Sequence, residues 1–287
     1  MTEKKLTIPD ILGKKETGDK LTMLTAYDAS FARMVDEAGI DMILVGDSLG
    51  MVVLGYESTV PVTMEEMLHH AKAVKRGCRR AFLVGDLPFL SYQVDAREAV
   101  TNAGRFLKEA GCDAVKLEGG EEVADTVRAV VRAGIPVMGH IGLTPQTAAL
   151  LGGYKVQGRD LDSARRLLAD ARALEEAGAF AVVMECIPDR LAKVITEAVK
   201  IPTIGIGAGP WCDGQVLVTH DLLGMFEKFV PSFVKTYVQL APRIKEALAA
   251  FRVEVEGSAF PDAAHSFSMQ LDVEKLLNGE DGTAGES

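Results

Sequence analysis

The feature that most limits the fold of this 287-residue chain is a short aliphatic run that recurs about eight times. Each run is bounded by Gly, Pro or acidic residues, which is typical of buried parallel strands. The runs cover residues 21–27, 42–47, 81–86, 114–119, 136–142, 181–186, 202–209 and 215–221. Between most of them lie amphipathic segments that end in glycine, as α-helices often do. This alternation of strand and helix predicts an α/β fold.

A three-residue phrase, EAG or RAG, recurs at the ends of four predicted helices, at 37–39, 109–111, 132–134 and 176–178. It is a weak internal repeat of βα units, and it favours a closed (β/α)8 TIM barrel over an open doubly wound sheet. A dinucleotide-binding sheet is disfavoured, because no GxGxxG follows the first strand. The glycine cluster GIGAG comes only at the seventh run, and we interpret it as turn geometry rather than a phosphate cradle.

Composition excludes several functional classes. The chain is 48% hydrophobic and carries a net charge of −10, so it has material for a deep core but little affinity for a phosphate backbone. We therefore expect small-molecule substrates and no nucleic-acid partner. The first residues carry charge without a continuous apolar stretch, and no run approaches the roughly 18 apolar residues of a membrane span. Four well-separated cysteines without a CxxC spacing favour the cytoplasm.

The domain organisation predicted from these patterns is simple. Residues 1–267 are expected to form one (β/α)8 catalytic domain, in which the segment 232–255 packs as the last barrel helix. Residues 268–287 are small, polar and acidic, and their composition predicts a disordered tail.

Polar side chains stand where several aliphatic runs end. In barrels of this type the chemistry lies at the C-terminal ends of the strands, so these are the informative positions. They are Asp47 with Ser48, Asp86, Lys116 with Glu118, His140 and Glu185. Such a charged set at the ends of apolar strands predicts an active site.

Asp47 and Asp86 are predicted to hold a metal ion. They end neighbouring strands and would bring two carboxylates into one mouth, where a hard cation would resolve their repulsion. Mg²⁺ suits carboxylates, waters and an oxygen-rich substrate better than zinc, whose His or Cys ligands are not grouped here. The alternative, that each aspartate caps the helix after it, stays open at this point.

The remaining strand-end residues suggest substrate and proton chemistry. Lys116 and Glu118 alternate along one strand and so face one side, which we expect to be the mouth. Lys116 would hold a substrate carboxylate or oxo group and Glu118 would reach the metal, with a buried ion pair as the alternative. Glu185 follows four apolar residues, a setting that suits a general acid or base, although a core glutamate bonded to backbone is also open. His140 is either a substrate ligand or a structural histidine.

At this point the chain resembles the ketopantoate hydroxymethyltransferase family. The matching phrases span roughly residues 20–267 and are LTAYDASFA, LVGDSLGMVVLGYEST, GDLPF, VKLEGG, GHIGLTPQ, GGYKVQGR, ECIP, GIGAG and HSF. The resemblance implies a phosphoenolpyruvate/pyruvate-type barrel. It also implies transfer of a hydroxymethyl group from 5,10-methylenetetrahydrofolate to 3-methyl-2-oxobutanoate, giving 2-dehydropantoate in the first step of pantothenate biosynthesis.

The resemblance also implies roles for individual residues. These are Mg²⁺ ligation by Asp47 and Asp86, metal association by Glu118, substrate contacts from Ser48, Asp86 and Lys116, and proton acceptance by Glu185. Asp47 and His140 complete the predicted substrate-binding set. The resemblance further implies a homo-oligomer, a homodecamer in the family.

Two other functions remain open at this point. A folate-independent, Mg²⁺-dependent 2-oxo acid aldolase or lyase would share the metal site. A barrel kept as a sensor or scaffold is disfavoured, since all the charged strand ends are present.

Overall fold

The computed structural model describes residues 4–228 and 230–269. Eight parallel strands close into a barrel in chain order, and the first strand pairs with the last. Each strand overlaps one of the predicted aliphatic runs, which confirms the (β/α)8 barrel. The strands are β1 (Leu21–Thr25), β2 (Met42–Val45), β3 (Phe82–Asp86), β4 (Ala114–Lys116), β5 (Val137–Gly142), β6 (Ala181–Glu185), β7 (Thr203–Ile206) and β8 (Gly214–Leu217).

The helices include those that the amphipathic segments predict. A predicted helix with a glycine end is well illustrated by α5, where the Asp95 side chain accepts a hydrogen bond from the Glu98 N–H and Gly111 ends the helix in the left-handed region. The helices are α1 (Ile8–Thr17), α2 (Ala29–Glu37), α3 (Leu49–Val52), α4 (Met64–Gly77), α5 (Ala96–Ala110), α6 (Ala124–Arg132), α7 (Leu161–Ala177), α8 (Asp189–Ala198), α9 (Thr219–Leu222) and α10 (Leu240–Glu256).

Side chains along each strand alternate between the barrel interior and the helix layer, as the two-residue period of a strand requires. On β3, Val84 belongs to the interior cluster, whereas Leu83 packs with the surrounding helices. The interior cluster is aliphatic and closely packed, with Phe82 and Phe180 in edge contact at a centroid distance of 5.5 Å. An inward-facing side chain two positions beyond this interior cluster on a strand therefore lies at the mouth of the barrel.

The N-terminal end of the barrel is closed by α1. Ile11, on that helix, is fully buried in the interior cluster. Three lysines in or just before α1 pair at 2.7 Å with aspartates that precede strands: Lys5 with Asp113, Lys14 with Asp41, and Lys15 with Asp213. Each of these aspartates also accepts a backbone N–H from the preceding strand. Helix α1 is thus a tethered plug beneath the barrel, far from the strand ends that carry the predicted site.

The chain divides into two compact units, residues 1–238 and 239–287. The first contains the barrel. In the second, α10 begins at Leu240 rather than at residue 232, and residues 242–256 are all exposed. The packing of this helix against the barrel stays a prediction.

The predicted tail lies outside the described residues from position 270 onward, and both its disorder and the single domain over 1–267 stay predictions. Within the described ranges, no helix combines the length and apolar character needed to cross a membrane.

Candidate active site

A cavity of about 1130 Å³, counted with its open mouth, lies at the C-terminal ends of the strands. The predicted site residues all line it: Asp47, Ser48, Asp86, Lys116, Glu118, His140 and Glu185. The strand period explains four of these positions, because Asp86, Lys116, His140 and Glu185 each stand two residues beyond an interior residue of the same strand. Parallel pairing of β3 and β4 then sets Asp86 directly beside Lys116. The chain thus brings its predicted site together on one arc of the mouth.

Asp47 and Asp86 form a close carboxylate pair. Both are buried, and the backbone N–H of Asp47 donates to Asp86 Oδ2 at 3.2 Å. Burial and the charge of Asp86 raise the pKa of Asp47 well above its usual range, and burial also raises the pKa of Asp86. Neither caps a helix, because Ser48 precedes α3 and Asp95 caps α5. The helix-cap alternative is therefore wrong.

Lys116 is the buried cation of the site. Its Nζ lies 2.9 Å from Asp86 Oδ1, 3.9 Å from Glu118 Oε1 and 3.2 Å from His140 Nδ1. Burial alone would lower the pKa of Lys116, but the charges of Asp86, Glu118 and Asp47 outweigh it and raise the pKa. The buried ion pair considered as an alternative is thus present, and a role in binding substrate stays a prediction.

His140 lies between two carboxylates. Its Nδ1 is 3.5 Å from Glu118 Oε1 and its Nε2 is 3.2 Å from Glu185 Oε2. Burial and Lys116 act to lower the pKa of His140, but hydrogen bonding to both glutamates raises it to about 9. Burial would raise the pKa of Glu118, and the hydrogen bond and charge of His140 bring it below its usual range. Glu185 borders the open cavity, with 17% of its side chain exposed.

Two residues that sequence reasoning missed hold the carboxylates in place. Gln146 Nε2 donates to Asp47 Oδ2 and to the carbonyl of Leu87, each at 2.9 Å, and its backbone N–H donates to Glu118 Oε2 at 3.1 Å. The Tyr92 hydroxyl lies 2.8 Å from Gln146 Oε1 and accepts the Glu118 backbone N–H at 3.1 Å. Gln146 is the last residue of the family-matching phrase GHIGLTPQ, which is the sequence signal that could have identified it. It does not end an aliphatic run, so strand patterning did not mark it.

The formal charges of the mouth suit a divalent cation. On the arc of predicted site residues, four carboxylates accompany one lysine and one histidine, so two formal negative charges remain even when the histidine is protonated. Asp86 Oδ1 has Lys116 Nζ as its ion-pair partner at 2.9 Å, and Asp86 Oδ2 accepts the backbone N–H of Asp47. In the ranges that the structure describes, no three His, Cys, Asp or Glu side chains already form a metal-binding group. The donor set therefore fits an ion that keeps several waters, as Mg²⁺ does, better than one fully ligated by protein.

The opposite side of the cavity is apolar. Its lining comes from the last two strands and from the chain that follows them, namely Ile206, Val216, Val218, Phe226, Pro231, Phe233 and Val234; we call these residues the apolar wall. Gly207 has φ +62°, and a Cβ added there would lie 2.7 Å from the ring of Phe233. The GIGAG cluster thus serves turn geometry and close packing, as predicted.

The sequence model of the ketopantoate hydroxymethyltransferase family matches residues 5–263. A relative from Desulfotalea psychrophila (strain LSv54 / DSM 12343), named 3-methyl-2-oxobutanoate hydroxymethyltransferase, is 61% identical over 96% of this chain and 99% of its own length. A relative of the same name from Syntrophomonas wolfei subsp. wolfei (strain DSM 2245B / Goettingen) is 57% identical over 94% of this chain and 98% of its own length.

Solved structures with much lower sequence identity share the fold. A phosphoenolpyruvate phosphomutase from Streptomyces platensis subsp. rosaceus matches with a TM-score of 0.60 and 17% identity, covering 96% of each chain. A phosphonopyruvate hydrolase, solved as a complex with oxalate and Mg²⁺, matches with a TM-score of 0.59 and 14% identity, again over 96% of each chain. These matches confirm the (β/α)8 barrel fold.

Proposed function

The chain belongs to the ketopantoate hydroxymethyltransferase family, and we propose that its barrel mouth enolises 3-methyl-2-oxobutanoate with a divalent cation and a folate donor. The observation that carries this proposal is the arc of Asp47, Asp86, Lys116, His140 and Glu185 around one cavity. In the overall reaction, the keto acid, 5,10-methylenetetrahydrofolate and water give 2-dehydropantoate and tetrahydrofolate. This is the entry step to pantothenate.

Asp47 and Asp86 are the residues that would hold Mg²⁺, and Glu118 would support it directly or through water. The close approach of the two buried aspartates and the surplus of negative charge around them support this assignment. A structural neighbour at 14% identity is titled as a complex with oxalate and Mg²⁺, and oxalate is a small dicarboxylate similar in shape to the head of a 2-oxo acid. A bound cation would draw electron density from the 2-oxo acid and make its C3 proton more acidic.

Side chains of the mouth would orient the substrate, stabilise the developing charge and transfer the proton. Lys116, with Ser48 beside it in the mouth, would orient the carboxylate and oxo oxygens and stabilise the negative charge that develops on the oxo oxygen. Glu185 would take the C3 proton, because it is the carboxylate that borders the open cavity. His140 bridges Glu185 and Glu118 and would hold the base in position. In the overall change, a carbon–carbon bond forms between C3 and the one-carbon unit of the donor, and both bonds from that unit to folate nitrogens break. Water supplies the hydroxyl group of the product, while its other proton and the C3 proton go to the two nitrogens.

The first test is product formation from 3-methyl-2-oxobutanoate, with Mg²⁺ and 5,10-methylenetetrahydrofolate omitted in turn. We expect 2-dehydropantoate only when both are present. If product needs neither, the proposal fails. If C3 deuterium exchange needs metal but no product forms with folate, the folate-free aldolase or lyase becomes the better assignment.

The base assignment is tested with Glu185→Gln. We expect this variant to bind the keto acid with Mg²⁺ but to lose C3 deuterium exchange by about 100-fold or more, within the usual range for a general base. The exposed Glu57→Gln variant is the matched control and should exchange at the parent rate. Exchange at the parent rate in Glu185→Gln would assign the proton to another group.

We also propose that the enzyme works in the cytoplasm as a homo-oligomer. The family resemblance supports both points, and the four cysteines, all free thiols in the structure, are compatible with a reducing compartment. Light scattering coupled to gel filtration would test the assembly, and a monomeric mass would contradict it.

A further inference from the structure

Asp221 is a buried acid that the proposed chemistry does not use. It lies in α9, lines the cavity beside the apolar wall and is 8% exposed. Its Oδ1 is buried without a hydrogen-bond partner among the described residues. Leaving a buried carboxylate oxygen unpaired is costly, and such groups in proteins usually have a partner. The missing partner is therefore expected to be a ligand that brings hydrogen-bond donors.

The position of Asp221 in the barrel places it opposite Lys116, the buried cation of the site. In a closed ring of eight strands, β8 lies opposite β4, which carries Lys116. Asp221 follows β8, so it lies across the mouth from that lysine. The cavity extends from the charged arc to the apolar wall and is open at its mouth, so a keto acid held at the arc would leave the apolar wall free for a second molecule.

We propose that Asp221 binds the pterin edge of the folate donor, with the apolar wall taking the faces of the ring. This inference rests on the proposed function, because it names the subsite of the donor in the same cavity. A pterin presents two parallel donors, the ring N3–H and the 2-amino group, and a carboxylate offers two acceptors at matching spacing. Phe226 and Phe233 supply the flat apolar contact that an aromatic bicycle prefers.

The protonation state of Asp221 supports this recognition. Burial raises the pKa of Asp221 to about 6, so its carboxyl group is still mostly ionised at pH 8. Hydrogen bonds to an ionised acceptor are stronger than those to a neutral one. An amide at the same position would keep one acceptor and turn the other into a donor that opposes the pterin.

The test is Asp221→Asn, assayed at pH 8. We expect the KM for 5,10-methylenetetrahydrofolate to rise about 10- to 100-fold, the loss expected for a hydrogen bond to a charged group. The KM for the keto acid and its folate-free C3 deuterium exchange should stay within about twofold of the parent. The exposed Asp189→Asn variant removes a charge outside this cavity and should change none of these values.

A donor analogue sharpens the assignment. The parent should bind 2-desamino-tetrahydrofolate at least tenfold more weakly than tetrahydrofolate by calorimetry, and Asp221→Asn should discriminate between the two less than threefold. If Asp221→Asn does not fold, Phe226→Leu should raise the folate KM alone. Unchanged folate binding, or loss of folate-free exchange, would overturn the inference. Failure of the parent to use folate at all would instead overturn the proposed function.

Discussion

Replacing Lys116 with methionine should reveal how much buried negative charge this one ammonium group stabilises. The side chain of Lys116 is 4% exposed, and Asp86 at 2.9 Å and Glu118 at 3.9 Å are each 2% exposed. Methionine keeps the aliphatic length but removes the charge. Breaking a buried pair by removing one partner costs about 3–5 kcal/mol, because the remaining charge is left uncompensated. For a chain of this size that corresponds to a fall in Tm of roughly 6–20 °C.

The loss should depend on pH. Without the ammonium group, the pKa of Asp86 in the folded variant rises further above its unfolded value, and Glu118 loses one of the charges that keep its pKa low. A carboxyl group with a raised folded pKa destabilises the protein when it is ionised, and this cost disappears as pH falls through the folded and then the unfolded pKa. The difference between parent and variant should therefore be largest near pH 8 and smaller near pH 5.5.

Urea unfolding of metal-free protein at the two pH values measures this difference. Lys72→Met is the matched control, because Lys72 pairs with Glu109 at 3.3 Å but is 43% exposed, and such surface pairs contribute about 0–1 kcal/mol. A loss for Lys116→Met no larger than that of Lys72→Met at pH 8 would refute the reasoning. Saturating Mg²⁺ should restore part of the lost stability, since a cation would replace the missing charge.

Three further variants test other parts of the site. Asp221→Asn should raise the free energy of unfolding by about 1–2 kcal/mol at pH 8, after allowance for solvent screening, because burial raises the pKa of Asp221 to about 6. Urea titrations should show this gain in stability shrinking as the pH falls from 6 towards 4. Gln146→Leu removes the amide partner of one Asp47 oxygen and of the Leu87 carbonyl, and it should cost about 1–3 kcal/mol in the same assay, whereas a neutral result would mean that water replaces the amide. Asp47→Asn should stabilise the metal-free protein by relieving repulsion, and should abolish the Mg²⁺-induced stabilisation of about 2.7 kcal/mol expected at 100 times Kd, as measured by thermal shift.

The barrel and most of its site were predictable because both follow from the recurring aliphatic strands and from the alternation of inward and outward side chains along each strand. Buried parallel strands must be aliphatic, and an inward position at the end of such a strand can be polar only where it faces the mouth. Asp86, Lys116, His140 and Glu185 all meet that condition. Local patterning alone therefore places them together, although 99 residues separate Asp86 from Glu185 in the chain.

The parts that were missed depend on tertiary contacts. Gln146 reaches Asp47 across 99 positions of sequence, and a glutamine in a loop has no periodic signal that marks it as buried. Asp221 stood within a run interpreted as strand, but β8 ends at Leu217 and the acid belongs to the short helix after it. For α10, helical periodicity predicted the helix but not its first residue, which is Leu240 rather than residue 232.

The three lysine–aspartate clamps of α1 have a practical consequence for altering this enzyme. Each clamp combines an ion pair with a backbone hydrogen bond at a strand start, so rigidity is concentrated at the end of the barrel that performs no chemistry. Substitutions in the apolar wall leave these three clamps intact. A library that randomises the apolar wall while leaving residues 5–15 untouched should yield mostly folded proteins with changed donor preference. The stability expected from the clamps of α1 should help the barrel to tolerate such changes in the apolar wall.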